Sequence, residues 1–385
     1  MRRGIPSRAV IRLTCQPRLG QPTESRGNAV ESERPLLEVE NLRTYFDTPR
    51  GILKAVDGVS FSLAKGETIG IVGESGSGKS VLVRSIMNIL TSNAIVPDGS
   101  NVIFDGKDTR QLSRSEAKHF WGTQMAMIFQ DPMTSLNPVK KVGIQITESI
   151  RYHLGASKQE AMERALELMI QVGIPEPRKR LKEYPHQLSG GMRQRVTIAI
   201  ALACNPKLLI ADEPTTALDV TVQKQILDLL ASLQEELGMA MILITHDLGV
   251  VAGRARRIGV MYAGKMVETA DTSTLFHHMN HPYTEALFKS IPRVEHQSHT
   301  RLDAISGRPP DMVLDLVGCR FAPRCRYAQE QCTTDEPELF QTGQSGHLQA
   351  CFYPVGSPEN AQALATNQET GVTAAGLDLT AAAVS

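Results

Sequence analysis

The 385 residues carry 41 basic and 41 acidic side chains, a formal net charge of zero that argues against a generally basic nucleic-acid binder. The chain is long enough for two or three domains with a sizeable core, and no stretch reaches the ~18 consecutive apolar residues of a bilayer-spanning helix, the longest relevant run being Val196 to Cys204. Six Cys are too few for a disulfide scaffold, and four of them lie between Cys319 and Cys351, which points to a local site in a reducing compartment.

Residues 1–34 hold Arg2, Arg3, Arg8, Arg12 and Arg18 before the first acid, Glu24, without the apolar region of a secretory signal. They read as a disordered tail, better explained by an upstream mis-assigned start than by an organelle-targeting peptide. Leu36 to Glu40 and Val59 to Leu63 have strand-like patterns, and Thr68 to Val72 is a short β-branched run. A Gly-rich loop and a helical pattern from Lys79 to Leu90 follow it. The stretch from Asp131 to Leu188 is predicted to be largely helical and includes the amphipathic segment Lys158 to Val172. Two apolar strands, Leu208 to Ala211 and Ala240 to Thr245, then end in polar residues, as strands of a parallel sheet do beside a ligand. From Val355 to Ser385 there is no Lys, Arg or aromatic residue, and this Ala- and Thr-rich end is predicted to be disordered.

Gly73, Glu74, Ser75, Gly76, Ser77, Gly78, Lys79 and Ser80 match G-x-x-x-x-G-K-[ST] between a strand and a helix, the required context for a phosphate-binding loop. The glycines let backbone N–H groups close around phosphate oxygens, and the helix adds its positive end. Lys79 would reach the β and γ phosphates and the Ser80 hydroxyl would coordinate Mg²⁺. The strand from Leu208 delivers Asp212 and Glu213, suited to a metal-positioning carboxylate and a water-activating one. Neighbouring side chains on a strand face opposite ways, so the turn at Pro214 is expected to reorient them.

A second Gly pair, in Leu188-Ser189-Gly190-Gly191-Met192, resembles the LSGGQ signature of ATP-binding cassette (ABC) ATPases. In the same order as in that family, Gln130 resembles the Q-loop glutamine, Ala217-Leu218-Asp219 the D-loop and His246 the switch histidine. Phe46 stands at the position of the adenine-stacking aromatic, with Tyr45 as the alternative. The runs Gln130 to Pro138, Tyr184 to Gln187 and His281 to Thr284 are similar to the dipeptide and oligopeptide importer ATPases, with nickel importers sharing much of the pattern. Met192 departs from the usual Gln and is common in the peptide branch.

The resemblance implies a RecA-like α/β core of P-loop type with an antiparallel β subdomain, a helical signature subdomain and a small Cys-rich C-terminal extension. The expected limits are 35–292 for the ATPase domain, about 131–190 for the helical subdomain, 293–354 for the extension and 355–385 for the tail. It also implies two such domains facing head to tail, with ATP and Mg²⁺ between the phosphate loop of one and Ser189, Gly190, Gly191 and Met192 of the other. Glu213 would polarise the attacking water, His246 would hold water and γ-phosphate, and Gln130 would link the metal to the segment touching the membrane partner.

Cys319, Cys325, Cys332 and Cys351 are separated by five, six and eighteen residues, which fits neither common zinc knuckles nor a short ferredoxin run. Four thiols so close together still favour a metal centre over disulfides. Peptide-importer extensions with a similar arrangement can hold a [4Fe–4S] cluster, so iron–sulfur is favoured over zinc or free thiols, with His347 as a further candidate ligand. Cys204 reads as buried and Cys15 as part of the tail.

The function implied is ATP hydrolysis that drives peptide import at the cytoplasmic face of the inner membrane. Its implied partners are two permease subunits, a second, F-type cassette and, indirectly, an extracytoplasmic binding protein. A soluble ABC ATPase acting on nucleic acid or the ribosome is the alternative; such proteins usually carry two cassettes, whereas each motif occurs here once. A non-catalytic redox scaffold fits less well with intact Lys79, Asp212, Glu213 and His246. Nickel and glutathione are alternative cargoes.

Overall fold

The computed structural model describes residues 34–131, 135–216, 218–290, 305–343 and 346–380. The Arg-rich tail through residue 33, Cys15, the 132–134 part of the Gln130 motif and Ala217 of the D-loop lie outside the described residues.

Two sheets organise the fold. The first is antiparallel: the hairpin Leu37–Thr48 and Gly51–Leu63 pairs with Asn101–Phe104, which pairs with Lys107–Asp108, while Ala94–Ile95 pairs with Tyr45 and Phe46. The second has five parallel strands in the order Arg257–Tyr262, Thr68–Val72, Ala240–Thr245, Leu208–Asp212, Met125–Ile128. Lys265–Asp271 extends it antiparallel beyond Arg257–Tyr262, followed by Leu348–Gln349 and Phe340–Gln341. Thr68–Val72, Leu208–Asp212 and Ala240–Thr245 are buried at every position, which is why they read as unbroken apolar runs rather than as alternation. Arg257–Tyr262 is almost as buried, but Arg257 and Gly259 break its β-branched pattern in the sequence.

The helix after the phosphate loop spans Lys79–Ile86 and ends short of Leu90, because the chain turns left-handed at Asn88, φ +51°. The expected helical subdomain forms as Val142–Leu154 and Lys158–Gln171, then shorter turns. Ser157 and Glu160 make a capping box at the second start. That helix buries Ala161, Ala165, Leu168 and Met169, the i, i+4, i+7, i+8 stripe, in the same core as Val142, Ile146 and Ile150. Full burial contributes ~1.5–3 kcal/mol for a side chain such as Leu168.

The expectation of a disordered end after Val355 is corrected by a helix at Pro358–Thr370. Ser357 caps it by accepting from the Asn360 N–H at 3.1 Å. Its buried face is largely polar. Asn360 donates to the Tyr353 carbonyl at 3.0 Å, and Asn367 donates to the carbonyls of Arg326 and Ala328 at 3.0 and 3.1 Å. Composition counts apolar area, and this helix is fastened by amide hydrogen bonds instead.

Candidate nucleotide site and cysteine cavity

Each predicted phosphate-site residue sits at the C-terminal end of the parallel strands. Gly73 (φ +157°) and Gly78 (φ +103°) admit no side chain: a Cβ would stand 2.2 Å from the Met261 carbonyl at the first and 2.2 Å from the Ala55 carbonyl at the second. Gly76 (φ +81°) and the intervening Glu74, Ser75 and Ser77 complete the loop, and Gly78 leaves the following helix without a side-chain cap. Lys79 is 4% exposed and donates to the carbonyls of Gly73 and Glu74 at 2.7 and 2.9 Å. Burial lowers its pKa, opposed by Glu213, Asp212 and Glu74.

The Ser80 hydroxyl donates to Asp212 Oδ1 at 3.0 Å. Asp212 is fully buried, and its other oxygen, Oδ2, has no partner. Burial raises its pKa against the Ser80 bond. A buried carboxylate oxygen left open beside a hydroxyl fits a divalent cation, whose charge would offset the desolvation.

Glu213 has φ +45°, so the reorientation expected at Pro214 occurs at Glu213 itself. The residue leaves the strand in a left-handed conformation that costs a non-glycine residue of order 1–3 kcal/mol. Its Oε2 accepts from Gln130 Nε2 at 2.8 Å and from Thr216 Oγ1 at 3.1 Å, while Oε1 lies 3.5 Å from His246 Nδ1. Gln130, Glu213 and His246 therefore meet around one carboxylate, and Thr216, which carries no motif signal, joins them.

Ser189 and Gly190 are exposed at the start of the helix Gly190–Ala201, where Ser189 Oγ accepts from the Met192 N–H at 3.4 Å. A Cβ at Gly191 would press on Val222 at 2.8 Å, and Met192 is half-buried against the core. Asp219 caps the helix Val220–Leu237, accepting from the Val222 N–H at 2.9 Å. On the antiparallel sheet, the Tyr45 hydroxyl is committed to Asp57 at 2.7 Å, which leaves the adjacent, half-buried Phe46 as the aromatic available to a base.

All four cysteines of the C-terminal segment line one small cavity, together with His281 and Phe321. Gly318 (φ +72°) allows the chain to close on itself, and the Cys319 N–H donates to the Cys332 carbonyl at 2.8 Å. Burial pushes the Cys319 thiol up to about 11 and raises Cys325, Cys332 and Cys351 as well. Among the described residues, no three His, Cys, Asp or Glu side chains are grouped to hold a metal ion. His347 is not at this cavity. It is buried in a bond to Glu268, Nε2 to Oε1 2.8 Å, and that engagement corrects its candidacy as a ligand. Cys204 is buried as expected.

Comparison with known proteins matches two family descriptions, "ABC transporter" over residues 56–216 and "Oligopeptide/dipeptide transporter, C-terminal region" over 267–332. The dipeptide transport ATP-binding protein DppD of Escherichia coli is 49% identical over 320 residues, 83% of this chain and 97% of that protein. The chain belongs to the peptide-transporter branch of the ABC ATPases. Two more members of the branch are as similar. The oligopeptide transport ATP-binding protein AppD of Bacillus subtilis is 50% identical over 318 residues, 82% of this chain and 96% of its own. OppD of Salmonella typhimurium is 47% identical over 334 residues, 86% and 98%. The ABC fold is matched by the ATP-binding cassette MJ0796, solved as a post-hydrolysis dimer bound to ADP and Pi, with TM-score 0.55, 30% identity and coverage of 61% of this chain and 98% of that one.

Three residues of this ABC ATPase that carry no chemical motif signal support the nucleotide end. Tyr283, quoted only as a family mark, is fully buried and its hydroxyl accepts from the Glu74 N–H at 2.7 Å. Arg320 and Arg324 reach the nucleotide end from the cysteine segment. Their one signal is adjacency to Cys319 and Cys325, which by itself has no chemical meaning. Among the described residues, no helix is long and apolar enough to cross a membrane.

Proposed function

We propose that the chain hydrolyses ATP to power import of dipeptides or oligopeptides through a separate membrane permease. The supporting observation is the convergence of Lys79, Ser80, Asp212, Gln130, Glu213 and His246 at one end of the parallel sheet, in a relative of peptide transport ATP-binding proteins. The phosphate loop, Gly73 to Ser80, binds the triphosphate through backbone N–H groups and Lys79, while Phe46 stacks on the base. Ser80 and Asp212 would hold Mg²⁺, which would supply positive charge against the phosphates. Glu213 takes a proton from the attacking water, His246 orients that water and Gln130 couples its position to the helical subdomain. Ser189 and Gly190, exposed at their helix start, and the half-buried Gly191 and Met192 contact the ATP of a facing cassette, with Asp219 beside them at the junction.

That partner is a second, F-type cassette, and both sit on two permease subunits at the cytoplasmic face of the inner membrane, supplied by an extracytoplasmic binding protein. No nucleic acid takes part. Affinity purification of the tagged chain from gently solubilised membranes tests the reading. Recovery of two permease chains and a second cassette is expected, and recovery of ribosomes or nucleic acid without a permease overturns it. Uptake assays in the same strain separate peptides from nickel or glutathione as cargo.

A specific observation favours a further component of this reading. Four thiols, three buried and that of Cys319 half-buried, line one cavity, and among the described residues they form no single-ion ligand group. The resemblance to peptide-importer extensions favours a [4Fe–4S] cluster over zinc, and its charge would offset the cost of ionising thiols that burial keeps neutral. Cys319, Cys325, Cys332 and Cys351 would hold it, and its contribution would be structural. Anaerobic isolation should yield iron and acid-labile sulfide with visible absorbance, both lost in Cys325→Ser. Stoichiometric zinc, or no metal, removes the cluster from the proposal.

A further inference from the structure

The phosphate loop and the cysteine cavity are joined through one residue. Arg324, immediately before Cys325, is 6% exposed and grips the Glu74 carboxylate with both terminal nitrogens, Nη1 to Oε2 at 2.5 Å and Nη2 to Oε1 at 3.0 Å. It is fixed in turn by the Ser306 carbonyl at 2.8 Å and by the Tyr262 ring, 5.8 Å from ring centre to guanidinium carbon. Glu74 is the second residue of the phosphate loop, and each of its polar groups is in use. Its N–H donates to Tyr283, its carbonyl accepts from Lys79 and from the Ser77 N–H at 3.2 Å, and its carboxylate is held by Arg324. The lysine that reaches for phosphate is therefore aligned by a carbonyl whose own residue is anchored from the cysteine segment.

Arg320, immediately after Cys319, braces the opposite side of the loop. It bonds Asp57, the partner of Tyr45, and donates to the Ala263 carbonyl at 2.6 Å. The next residue, Gly264, donates its N–H to the Ser77 carbonyl at 2.9 Å.

We propose that Arg324 is a positioning residue for ATP binding, setting the shape of the phosphate loop from the cysteine-bearing segment through Glu74. The proposal rests on the reading of the loop as an ATP site. By reciprocity, whatever loosens the cysteine segment weakens nucleotide binding, and bound nucleotide tightens that segment.

The test is titration of the purified full-length chain with Mg-ATP by calorimetry. Arg324→Gln and Glu74→Gln should each weaken binding about tenfold, within the usual range of coupling between sites. The double variant should be no worse than either single one, since both remove the same link. Arg324→Lys, which keeps the charge but loses the two-pronged geometry, should recover part of the affinity. Glu74→Gln distinguishes positioning from simple charge: removing a negative charge beside a triphosphate would by itself tighten binding. Wild-type or tighter affinity in Glu74→Gln, or additive losses in the double variant, overturns the proposal. If Arg324→Gln does not fold, Glu74→Gln on its part-exposed loop decides the matter alone. Failure of the unaltered chain to bind ATP would instead sink the phosphate-site reading.

Discussion

The nucleotide end and the cysteine segment are built by opposite means. At the nucleotide end, backbone register does the positioning: parallel strands deliver Asp212 and His246 to one edge, and glycines with no room for a Cβ fix the loop. Among the described residues of 305–353 the regular structure consists of short helical turns, the longest Glu330–Thr334, and two-residue strands, and side chains make the joints. Arg320, Arg324, Tyr327 and Gln329 all bond to residues far away in sequence. A site set by backbone appears in the sequence as a contiguous motif, whereas one set by side chains appears as scattered letters.

Perturbing chemistry without touching either scaffold should produce the largest effect. Glu213→Gln in the assembled transporter is expected to bind ATP normally and hydrolyse it ~10²–10⁴-fold more slowly, the usual worth of a general base. Turnover close to normal would remove Glu213 from that role.

Acid should separate the two regions next. His281 lines the cysteine cavity and is 1% exposed, and burial depresses its pKa from 6.5 to about 4, although Glu268 pulls the other way. The fold thus holds the neutral ring. The corresponding stability is fully present above about pH 6.5 and is lost as pH falls through about 4, to a total of about 3 kcal/mol. Hydrogen exchange of the metal-free chain should show 281–290 and 305–343 opening before the parallel strands, and a uniform response across both would erase the contrast.

A smaller and more local effect is expected at Asn367. Its replacement by Ala strands the Arg326 carbonyl, leaves the Ala328 carbonyl with Gln329 Nε2 alone, and should cost about 1–3 kcal/mol. Limited proteolysis after Ala328 would reveal it, while Mg-ATP affinity should change only as far as the Arg324 link transmits the loosening. The least is asked of Ser189→Ala, which removes the cap of the signature helix and should lower the melting midpoint by an amount equivalent to ~1 kcal/mol. No change there would mean that the long cap bond contributes nothing to the resting chain.

The same contrast explains what could be read in advance. Thr68–Val72 and Ala240–Thr245 were legible because both faces are buried and leave continuous apolar runs. The eight residues of the phosphate loop were legible because phosphate chemistry requires them to be contiguous. Thr216 was not, since a threonine three residues after a carboxylate has no distinctive pattern. Arg324 could not be found either: its partner Glu74 lies 250 positions away, and only folding brings them together. The helix Pro358–Thr370 is hidden in the composition because apolar area is not what holds it, and Asn360 and Asn367 instead satisfy backbone carbonyls.

The hydrogen bonds around Glu213 also make its two carboxylate oxygens unequal. Oε2 already accepts from Gln130 and Thr216, so its lone pairs are spoken for. In the role proposed for Glu213, Oε1, turned toward His246, is the oxygen left to receive a proton. The carboxylate is chemically one-handed, and swapping its two oxygens would require breaking two hydrogen bonds rather than a free spin of the side chain.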